Sequence, residues 1–456
     1  MTATSDALVL FGVTGDLAYK KIFPALQALV KRERLRVPVI GVARSQMTDA
    51  DLIDRARASI VENDTLDPQA FEILAGLLTH VWGDYNDAET FTRIRAALGT
   101  ATHPLFYLAI PPSAFPAVIQ HLADSGCTSG ARIVVEKPFG RDLQSARSLN
   151  ALLRSVLPEA DIFRIDHYLG KEAVQNLMYF RFANAWLEPL WNRHYVSHVS
   201  VTMVERMGVA GRGAFYEETG VIRDVIQNHL LQIISYIAME PPTSTWPEAI
   251  RDEQAKVLRN IRPLSADAMV CGQFAGYRQE PGVSATSTVP TFAALELAVD
   301  SWRWSGVPFF IRAGKALEQS LTEVVVHLKP APPVVFAGAA PSGTNAVRFR
   351  LSPDVAITIG AFAKIPGEGM SGTPIELTVA SGTAQGVGTR LGAYERLIGD
   401  AMHGDATLFA RQDVVEAAWA VVDGVLNQPL ALHTYDVGSV GPAEAAARLE
   451  RRAMRA

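Results

Sequence analysis

The sequence predicts an α/β domain with a parallel sheet, followed by a larger α+β domain with a mostly antiparallel sheet. In the first part of the chain, continuous apolar runs such as residues 7–11 and 105–110 alternate with helical patterns. Such runs are typical of strands that are buried on both faces of a parallel sheet. Beyond residue 171, several alternating runs follow one another without helices between them, which indicates an antiparallel sheet.

Length and composition indicate a folded, acidic protein. The chain has 456 residues, of which 48% are hydrophobic, so two or three domains with large cores are expected. The formal net charge of −5 argues against a dedicated nucleic-acid-binding protein, so any anionic ligand should meet a local basic cluster. The two cysteines, Cys127 and Cys271, are too few for a disulfide framework or a four-ligand zinc site. We expect buried thiols and no bound metal.

The N-terminal residues and the hydropathy pattern predict a location in the cytoplasm. Residues 1–6 lack the basic segment and the long apolar segment of a secretory signal. No uninterrupted apolar stretch reaches about 18 residues, the length needed to span a membrane. We therefore expect neither a membrane partner nor a secreted protein.

A glycine turn follows the first predicted strand. Residues 7–11 are followed by Gly12-Val13-Thr14-Gly15-Asp16-Leu17-Ala18 and then by a helical pattern to about residue 30. Strand, glycine turn and helix in this order are the context of a Rossmann-type dinucleotide-binding domain, although Ala18 stands where a third glycine is common. A plain tight turn between strand and helix is the alternative interpretation.

The second predicted strand, residues 37–42, ends without an acidic residue. Domains of this kind often place an acid there to bind the ribose 2′-hydroxyl, and an arginine there suits a 2′-phosphate. Arg44 occupies this place, so the sequence predicts NADP rather than NAD. A surface arginine without a ligand is the alternative. Helices are predicted at residues 49–61, 68–79, 87–98 and 114–123.

Two later strand ends carry polar residues. Residues 132–135 are followed by Glu136-Lys137-Pro138, and a lysine at the carboxyl end of a strand faces the crevice where ligands bind. The proline can adopt a cis peptide bond. After a helix predicted from residue 142 to about 156, the strand 161–165 ends the parallel series, and we place the domain boundary between residues 168 and 169.

That strand leads directly into the nine-residue stretch 164–172, which holds Asp166, His167, Tyr168 and Lys171. If a helix begins here, His167 and Lys171 lie on one face, because they are four residues apart. Such a helix start is a good site for a dianionic phosphate. A solvated, charged helix start is the alternative.

The remaining chain, residues 169–456, carries the elements of the α+β domain. Strands are predicted at residues 196–204, 291–299, 309–311, 323–328, 346–351, 355–359 and 375–379, with a loop at 330–343. Helices are predicted at residues 174–186, 215–238, 392–400, 412–426 and 442–452.

Five motifs, in this order, resemble the glucose-6-phosphate 1-dehydrogenase family. They are residues 12–18, 136–140, 164–172, 222–232 and 314–316, and the similarity extends over nearly the whole chain. The resemblance implies oxidation of the C1 hydroxyl of β-glucose 6-phosphate to 6-phosphogluconolactone, with hydride transfer to NADP. It also implies a homodimer or homotetramer.

The resemblance also implies roles for the residues within those motifs. His229 would be the general base, and Asp166 would stabilise its charged form. The 6-phosphate would be bound by His167, Tyr168 and Lys171, and the sugar hydroxyls by Glu205, Asp224 and Lys315. Lys137 would lie between substrate and nicotinamide, and the dinucleotide site would be lined by Gly12, Gly15, Asp16, Leu17 and Arg44.

General chemistry supports a histidine as the general base of this reaction. Hydride leaves C1 readily only if the hydroxyl proton leaves too, and histidine, with an ordinary pKa near about 6.5, can accept it. A nearby carboxylate favours the imidazolium formed in this step. A histidine on an amphipathic helix can instead be purely structural, and the same alternative holds for Glu205, Asp224 and Lys315.

Three positions depart from the pattern of many relatives. Tyr19 replaces a lysine after the glycine turn, Ser320 replaces a cation after the Gly314-Lys315 pair, and Gln46 is not a second cation near Arg44. Weaker phosphate contact and incomplete preference for NADP are therefore expected. A related hexose-phosphate dehydrogenase that uses NAD or both cofactors and a non-catalytic NADP-binding regulator remain as alternative functions.

Overall fold

The computed structural model describes residues 3–332, 343–367, 370–380, 391–446 and 448. The chain divides into two compact units. Unit 1 comprises Met1–Glu172, Thr243–Arg251 and Arg390–Glu416, and unit 2 comprises Ala173–Pro242, Asp252–Thr389 and Ala417–Ala456. The predicted boundary between residues 168 and 169 stays a prediction, and unit 1 contains two later segments in addition to the N-terminal part.

Unit 1 contains a six-stranded parallel sheet. Its strands are β1 (Ala7–Phe11), β2 (Val39–Ala43), β3 (Leu78–Trp82), β4 (Pro104–Leu108), β5 (Arg132–Glu136) and β6 (Ile162–Ile165). Their spatial order is β3-β2-β1-β4-β5-β6, with parallel pairing throughout. The order reverses between β1 and β4, the place where open α/β sheets bind ligands. The predicted Rossmann-type α/β domain is confirmed.

Helices connect these strands. They are α1 (Phe23–Lys31), α2 (Asp49–Asn63), α3 (Pro68–Leu77), α4 (Ala88–Leu98), α5 (Phe115–Asp124) and α6 (Leu143–Val156), and a π-helix, Ala18–Ile22, precedes α1. Side-chain caps fix several starts: Thr48 accepts from the Asp51 amide, and Asp142 accepts from the Ser145 amide. The predicted helix at residues 68–79 was too long, because β3 begins at Leu78. β3 is an edge strand with exposed Thr79 and Trp82, so its pattern differs from the buried strands.

Unit 2 contains a nine-stranded sheet. Its strands are β7 (Val196–Val204), β8 (Met269–Phe274), β9 (Phe292–Ala298), β10 (Pro308–Gly314), β11 (Leu321–Leu328), β12 (Ala346–Ser352), β13 (Ala356–Lys364), β14 (Gly372–Ala380) and β15 (Leu432–Tyr435). The order is β14-β13-β12-β11-β7-β10-β9-β8-β15, antiparallel except at the β7–β10 and β8–β15 pairs. The mostly antiparallel sheet is confirmed, but β8 and β15 were not predicted.

Further helices follow in the described part of the chain. They are α7 (Glu172–Ala183), α8 (Gly213–Val221), α9 (Leu231–Ala238), α10 (Pro247–Arg259), α11 (Ala393–His403) and α12 (Gln412–Leu426), with a π-helix, Ile222–Leu230, between α8 and α9. The helix predicted at 215–238 is therefore three segments, and α10 was not predicted. Residues 443–446 are helical, in agreement with the start of the predicted helix 442–452, whereas residues 447 and 449–452 of that helix and residues 333–342 of the predicted loop lie outside the described residues. None of the helices in the described ranges is long and apolar enough to cross a membrane.

A buried apolar cluster in unit 2 supports the chain directly after β10. Phe274, Tyr277, Phe292 and Tyr435 pack with Ala316 and Leu317 in this cluster, all of them less than a tenth exposed. Because burial of aromatic side chains is a large stabilising term, this cluster holds the backbone that follows Gly314 in one place. Cys127 and Cys271 are both buried and free, as predicted.

Candidate active site

The glycine turn of unit 1 brings the backbone after β1 very close to the strand end of β4. Gly12 has φ +79°, and a Cβ at this position would lie 2.1 Å from the carbonyl oxygen of Ala109. Glycine is therefore required for both conformation and space. The Gly15 amide donates to the Gly12 carbonyl at 2.9 Å, which closes the turn before Leu17 and the helix. Bare backbone at a strand-to-helix turn lets a pyrophosphate approach, so the residues fit a dinucleotide.

Arg44 follows β2 and is exposed, with its guanidinium carbon 6.0 Å from the centroid of the Tyr85 ring. The Tyr85 hydroxyl in turn accepts from the Gly12 amide at 3.1 Å. Tyr85 therefore lies beside both the glycine turn and the strand end that were predicted to bind the dinucleotide. Asp16 is exposed and forms an ion pair with Lys20 at 2.9 Å.

Tyr19, which departs from the family pattern, contacts two residues of α2. The Tyr19 hydroxyl donates to Glu62 at 2.7 Å, and the guanidinium carbon of Arg55 lies 4.9 Å from the Tyr19 ring centroid. Arg55 also donates to the carbonyl oxygen of Thr14 at 2.5 Å. Sequence reasoning missed Arg55, because nothing in its helical pattern signals a contact with a turn about 40 residues earlier.

Lys137 lies directly after β5, and its peptide bond to Pro138 is cis. The preceding residue, Glu136, was not predicted as functional. It is buried, and the Tyr107 hydroxyl donates to its Oε1 at 2.5 Å. Burial raises the pKa of the Glu136 carboxyl to about 7; the Tyr107 hydrogen bond and the Lys137 charge lower it, whereas the Asp166 carboxylate raises it.

The polar stretch after β6 is a turn and not the start of a helix, because α7 begins at Glu172. The expectation that His167 and Lys171 share a helix face is therefore wrong. Instead, the Asp166 carboxylate accepts from the Tyr168 amide at 3.0 Å, and the Lys171 amide donates to the Tyr168 carbonyl at 3.1 Å. Short polar side chains commonly stabilise turns in this way.

This turn still groups the three residues predicted to bind phosphate. The ammonium of Lys171 lies 3.5 Å from the Tyr168 ring centroid, and the His167 and Tyr168 rings are 5.1 Å apart. A second aromatic residue, Tyr394 of α11, lies parallel to His167 with 6.3 Å between ring centroids. Tyr394 was not predicted, because it is more than 200 residues away in sequence from His167.

In unit 2, Glu205 and Lys315 follow the ends of two neighbouring parallel strands. β7 and β10 pair in parallel up to Val204 and Gly314, so the next residues of both strands emerge at the same edge of the sheet. The Lys315 ammonium lies 2.6 Å from Glu205 Oε2 and 3.8 Å from Asp224 Oδ2. Three of the predicted substrate-binding residues are therefore together within this unit.

Lys315 is 8% exposed and is held by its backbone as well as by the two carboxylates. Its amide donates to the Thr291 carbonyl at 3.0 Å, and the Tyr435 hydroxyl donates to its carbonyl oxygen at 2.8 Å. Burial and the nearby Asp224 carboxylate raise the pKa of the Tyr216 phenol well above its ordinary value. A buried ammonium between two carboxylates can orient hydroxyl groups of a ligand.

The predicted base, His229, is buried on the π-helix Ile222–Leu230. In a π-helix the backbone bonds connect residues five apart, so Asp224 and His229 lie about one turn from each other on this element. π-Helical turns are rare and occur frequently at functional sites. Sequence periodicity could not distinguish this winding from an α-helix.

Ser320, one of the three positions that depart from the family pattern, is exposed and accepts from the Arg206 amide at 3.0 Å.

Comparison with known proteins identifies the family. The N-terminal domain described as "Glucose-6-phosphate dehydrogenase, NAD binding domain" matches residues 9–176, and "Glucose-6-phosphate dehydrogenase, C-terminal domain" matches residues 178–455. The chain belongs to the glucose-6-phosphate dehydrogenase family. The family resemblance predicted from the five motifs is therefore confirmed, and the dinucleotide-binding domain supports a nicotinamide cofactor.

Relatives match over nearly the whole chain. Glucose-6-phosphate 1-dehydrogenase 1 of Mycobacterium tuberculosis is 41% identical over 448 residues, covering 98% of this chain and 95% of the relative. Glucose-6-phosphate 1-dehydrogenase 6, cytoplasmic, of Arabidopsis thaliana is 39% identical over 469 residues, covering 98% of this chain and 91% of the relative.

Solved structures of the family match the fold as well. Glucose-6-phosphate 1-dehydrogenase from Mycobacterium avium has a TM-score of 0.91 and 42% identity, covering 97% of this chain and 96% of that one. A glucose-6-phosphate dehydrogenase in complex with its substrate glucose 6-phosphate has a TM-score of 0.92 and 32% identity, covering 99% of each chain.

Proposed function

We propose that this protein oxidises D-glucose 6-phosphate at C1 to 6-phospho-D-glucono-1,5-lactone and transfers the hydride to NADP. This reaction is the first step of the oxidative pentose phosphate pathway. The observation that carries the proposal is the turn after β6, where Asp166 accepts from the Tyr168 amide and Lys171 lies against the Tyr168 ring. A relative that is 32% identical has been solved with glucose 6-phosphate as its substrate, which supports the same substrate here.

The 6-phosphate is assigned to His167, Tyr168 and Lys171. Lys171 and, when protonated, His167 supply positive charge, and the Tyr168 hydroxyl supplies a donor. The Tyr168 ring, 3.5 Å from the Lys171 ammonium, restricts the directions in which this ammonium can point. Since ordering a flexible lysine costs conformational entropy, this contact favours phosphate binding.

The sugar hydroxyls are assigned to Glu205, Asp224 and Lys315. Carboxylates accept hydrogen bonds from hydroxyls, and the ammonium of Lys315 donates to hydroxyl oxygens. The separation of 2.6 Å between Lys315 and Glu205 fixes the direction of both groups before a sugar binds. Such preorganisation favours one orientation of the pyranose ring.

Proton removal is assigned to His229, and Asp166 is the carboxylate that stabilises the resulting imidazolium. A general base of this kind contributes about 10²–10⁴-fold to the rate. The nicotinamide supplies the hydride acceptor when NADP is bound. Lys137, at the carboxyl end of β5, is assigned to the space between substrate and nicotinamide, where its positive charge orients both.

Cofactor preference is assigned to Arg44, since an exposed guanidinium after β2 suits a 2′-phosphate. The rest of the proposed dinucleotide site consists of Gly12, Gly15, Asp16 and Leu17. Use of NAD, or of both cofactors, is the second candidate, because Tyr19 carries no positive charge and Lys20 is paired with Asp16. Both features leave less positive charge available to a 2′-phosphate.

Initial-rate measurements test the function. Purified protein is supplied with glucose 6-phosphate, other hexose phosphates and free glucose, each with NADP and with NAD, and reduced nicotinamide is followed by its absorbance. We expect the highest kcat/KM with glucose 6-phosphate and NADP. Absence of turnover with glucose 6-phosphate and either cofactor, while NADP still binds, would indicate a non-catalytic NADP-binding regulator.

Replacement of His229 with asparagine tests the proton acceptor. His229→Asn keeps a polar side chain on the π-helix but removes the basic nitrogen. We expect kcat to fall by about 10²–10⁴-fold with little change in glucose 6-phosphate binding measured by calorimetry. Turnover equal to that of the wild-type protein would remove His229 from the mechanism.

We also propose a homo-oligomer, either a dimer or a tetramer, located in the cytoplasm. The large sheet of unit 2 can pair with a second copy across a two-fold axis, which is the commonest symmetry of homo-oligomers. The Arabidopsis relative is named as cytoplasmic, which supports the location. Light scattering coupled to size-exclusion chromatography measures the oligomeric state, and a monomeric mass at micromolar concentration would contradict the assembly.

A further inference from the structure

A group of three titratable residues, two of them buried, lies at the strand ends of unit 1. Tyr107 is in β4, Glu136 is the last residue of β5, and Tyr394 is in α11; we call them the Glu136 cluster. Tyr107 and Glu136 are 0% and 9% exposed. The mechanism proposed above uses none of the three.

Sheet register explains why Tyr107 and Glu136 meet. Tyr107 is opposite Val134 in the β4–β5 pair, and side chains alternate between faces along a strand. Val134 and Glu136 are therefore on one face, and Tyr107 lies diagonally beside Glu136 on that face. The resulting hydrogen bond, from the Tyr107 hydroxyl to Glu136 Oε1, is 2.5 Å long.

Several titratable groups influence the Glu136 carboxyl. Burial raises its pKa, the Tyr107 hydrogen bond and the Lys137 charge lower it, and the Asp166 charge raises it. For Tyr394 of α11, burial and then the Glu136 charge raise the pKa of the phenol. Asp166 follows Ile165, which is opposite Glu136 in the β5–β6 pair, so the two carboxyl groups stand at neighbouring strand ends.

The cluster also reaches the phosphate-binding turn. The Tyr394 ring lies parallel to the His167 ring, with an angle of 10° and 6.3 Å between centroids. Ion pairs hold α11 in this position: Arg396 pairs with Glu172, and Arg32 pairs with Glu395 at 2.5 Å. Because α11 is held at the start of α7 and near the end of α1, Tyr394 keeps its place against the His167 ring.

We propose that Glu136 is a positioning residue of the active site, whose ionisation, acting through Asp166 and Lys137, sets the pH range in which the proton acceptor works. This inference rests on the proposed function, since it requires Asp166 to stabilise the charged acceptor. When Glu136 ionises, a second negative charge stands beside Asp166. The added negative charge favours the protonated form of the acceptor. A higher pH is therefore needed to keep the acceptor unprotonated, the form that can accept a proton.

Glu136 changes its charge near neutral pH, the range in which a histidine base gains or loses its proton. Burial raises the pKa of its carboxyl to about 7, so the charge changes between about pH 6 and about pH 8. An ordinary glutamate would be ionised throughout that range and could not vary with pH there. The position of Glu136 and its raised pKa therefore both indicate that its carboxyl is a pH-dependent charge near Asp166.

The dependence of kcat on pH in two variants tests the inference. In Glu136→Gln the amide cannot ionise, so the acid limb of the profile should move to lower pH by about one pH unit. In Tyr107→Phe, Glu136 loses the hydrogen bond that favours its ionised form and stays neutral to higher pH. Its acid limb should therefore move in the same direction by a smaller amount. The KM for glucose 6-phosphate should change less than about threefold in both.

Glu62→Gln is the matched control. Glu62 accepts from the Tyr19 hydroxyl at 2.7 Å, so it is also a glutamate bonded to a tyrosine in unit 1, but it is exposed and lies on α2. Its acid limb should coincide with that of the wild-type protein. If Glu136→Gln does not fold, Tyr107→Phe alone decides the outcome.

The outcomes separate this inference from the proposed function. Wild-type protein that is inactive with glucose 6-phosphate would overturn both. An active wild-type protein whose acid limb is the same in Glu136→Gln and Tyr107→Phe would overturn the role of Glu136 only. A limb that moves equally in Glu62→Gln would also overturn it, since the shift would then not depend on the buried site.

Discussion

The ammonium of Lys315 lies 2.6 Å from Glu205 Oε2, although the two residues are 110 positions apart in sequence. They meet because β7 and β10 are neighbouring parallel strands that end at the same edge of the unit 2 sheet. Asp224 adds a second carboxylate at 3.8 Å from the same ammonium. Sheet topology therefore brings together three residues of the proposed sugar site.

Removal of the Lys315 charge should strongly reduce catalysis. In Lys315→Met the two carboxylates lose their shared cation while the apolar stem is kept. We expect kcat/KM for glucose 6-phosphate to fall by about 100-fold or more. Initial rates of the variant measure this fall.

Lys329→Met is the control for this prediction. Lys329 is exposed, and its ammonium donates to the Arg193 carbonyl oxygen at 2.8 Å. Removal of an exposed charge of this kind should change kcat/KM less than about twofold. Similar losses in both variants would show that loss of a lysine charge in unit 2, and not the Glu205 contact, is responsible.

Arg55 should affect the cofactor and not the sugar. It donates to the carbonyl oxygen of Thr14 in the glycine turn, at 2.5 Å, and lies on the Tyr19 ring. Arg55→Ala removes this brace, so we expect the KM for NADP to rise by about tenfold while the KM for glucose 6-phosphate stays within about twofold. Arg57→Ala on the same helix, where the guanidinium stacks on Phe71, should leave both constants near wild type.

Arg44 should determine the choice between the two nicotinamide cofactors. A charge-assisted hydrogen bond to a phosphate contributes about 1.5–3 kcal/mol, so Arg44→Ala should lower kcat/KM with NADP by about 10- to 100-fold. The value with NAD, which lacks the 2′-phosphate, should change little. The ratio of the two kcat/KM values measures this, and an unchanged ratio would remove Arg44 from the specificity site. Gln46→Ala, two residues further on, serves as the control.

The stability of the protein should depend on pH through Glu136. Its carboxyl has an ordinary pKa of 4.5 when exposed and about 7 in the folded protein, so between these values the folded state keeps a proton that the unfolded state has lost. Stability therefore falls as the pH rises through this window, and Glu136→Gln avoids the loss. The free energy of unfolding of Glu136→Gln relative to wild type should rise by about 3 kcal/mol from pH 4.5 to pH 7.

Urea unfolding at a series of pH values measures this difference. A difference that stays constant between pH 4.5 and pH 7 would contradict the raised proton affinity of the buried carboxyl. Glu62→Gln should show a constant difference, because Glu62 is exposed and its hydrogen bond with Tyr19 is at the surface.

Most strands could be predicted because the local pattern of apolar residues indicates which strands are buried. β1 and β4 are continuous apolar runs and are buried at every position, as is β5, whose three central residues are apolar. β3, β8 and β15 were missed for a different reason: β3 and β15 are short edge strands, and β8 pairs in parallel with β15 from far along the chain. Pairing with a distant partner leaves little trace in a short segment of sequence.

The π-helix that carries His229 shows a second limit of local pattern. Residues 215–238 have helical periodicity throughout, so a single helix was predicted. Gly220, with φ +57°, interrupts it, and residues Ile222–Leu230 wind as a π-helix. The apolar spacing of an α-helix and that of a single π-helical segment are too similar to separate in one sequence.

Local sequence was sufficient to predict the parallel and antiparallel domains, the glycine turn at Gly12 and the polar stretch that contains Asp166 and Lys171. Each is a property of neighbouring residues: periodicity, conformational freedom and residue type. The three-dimensional fold was needed to show that Glu205 meets Lys315, that Tyr394 lies against His167 and that Glu136 is buried beside Tyr107. These contacts depend on strand order and helix packing, which arise from burial of the whole chain and not from any one segment.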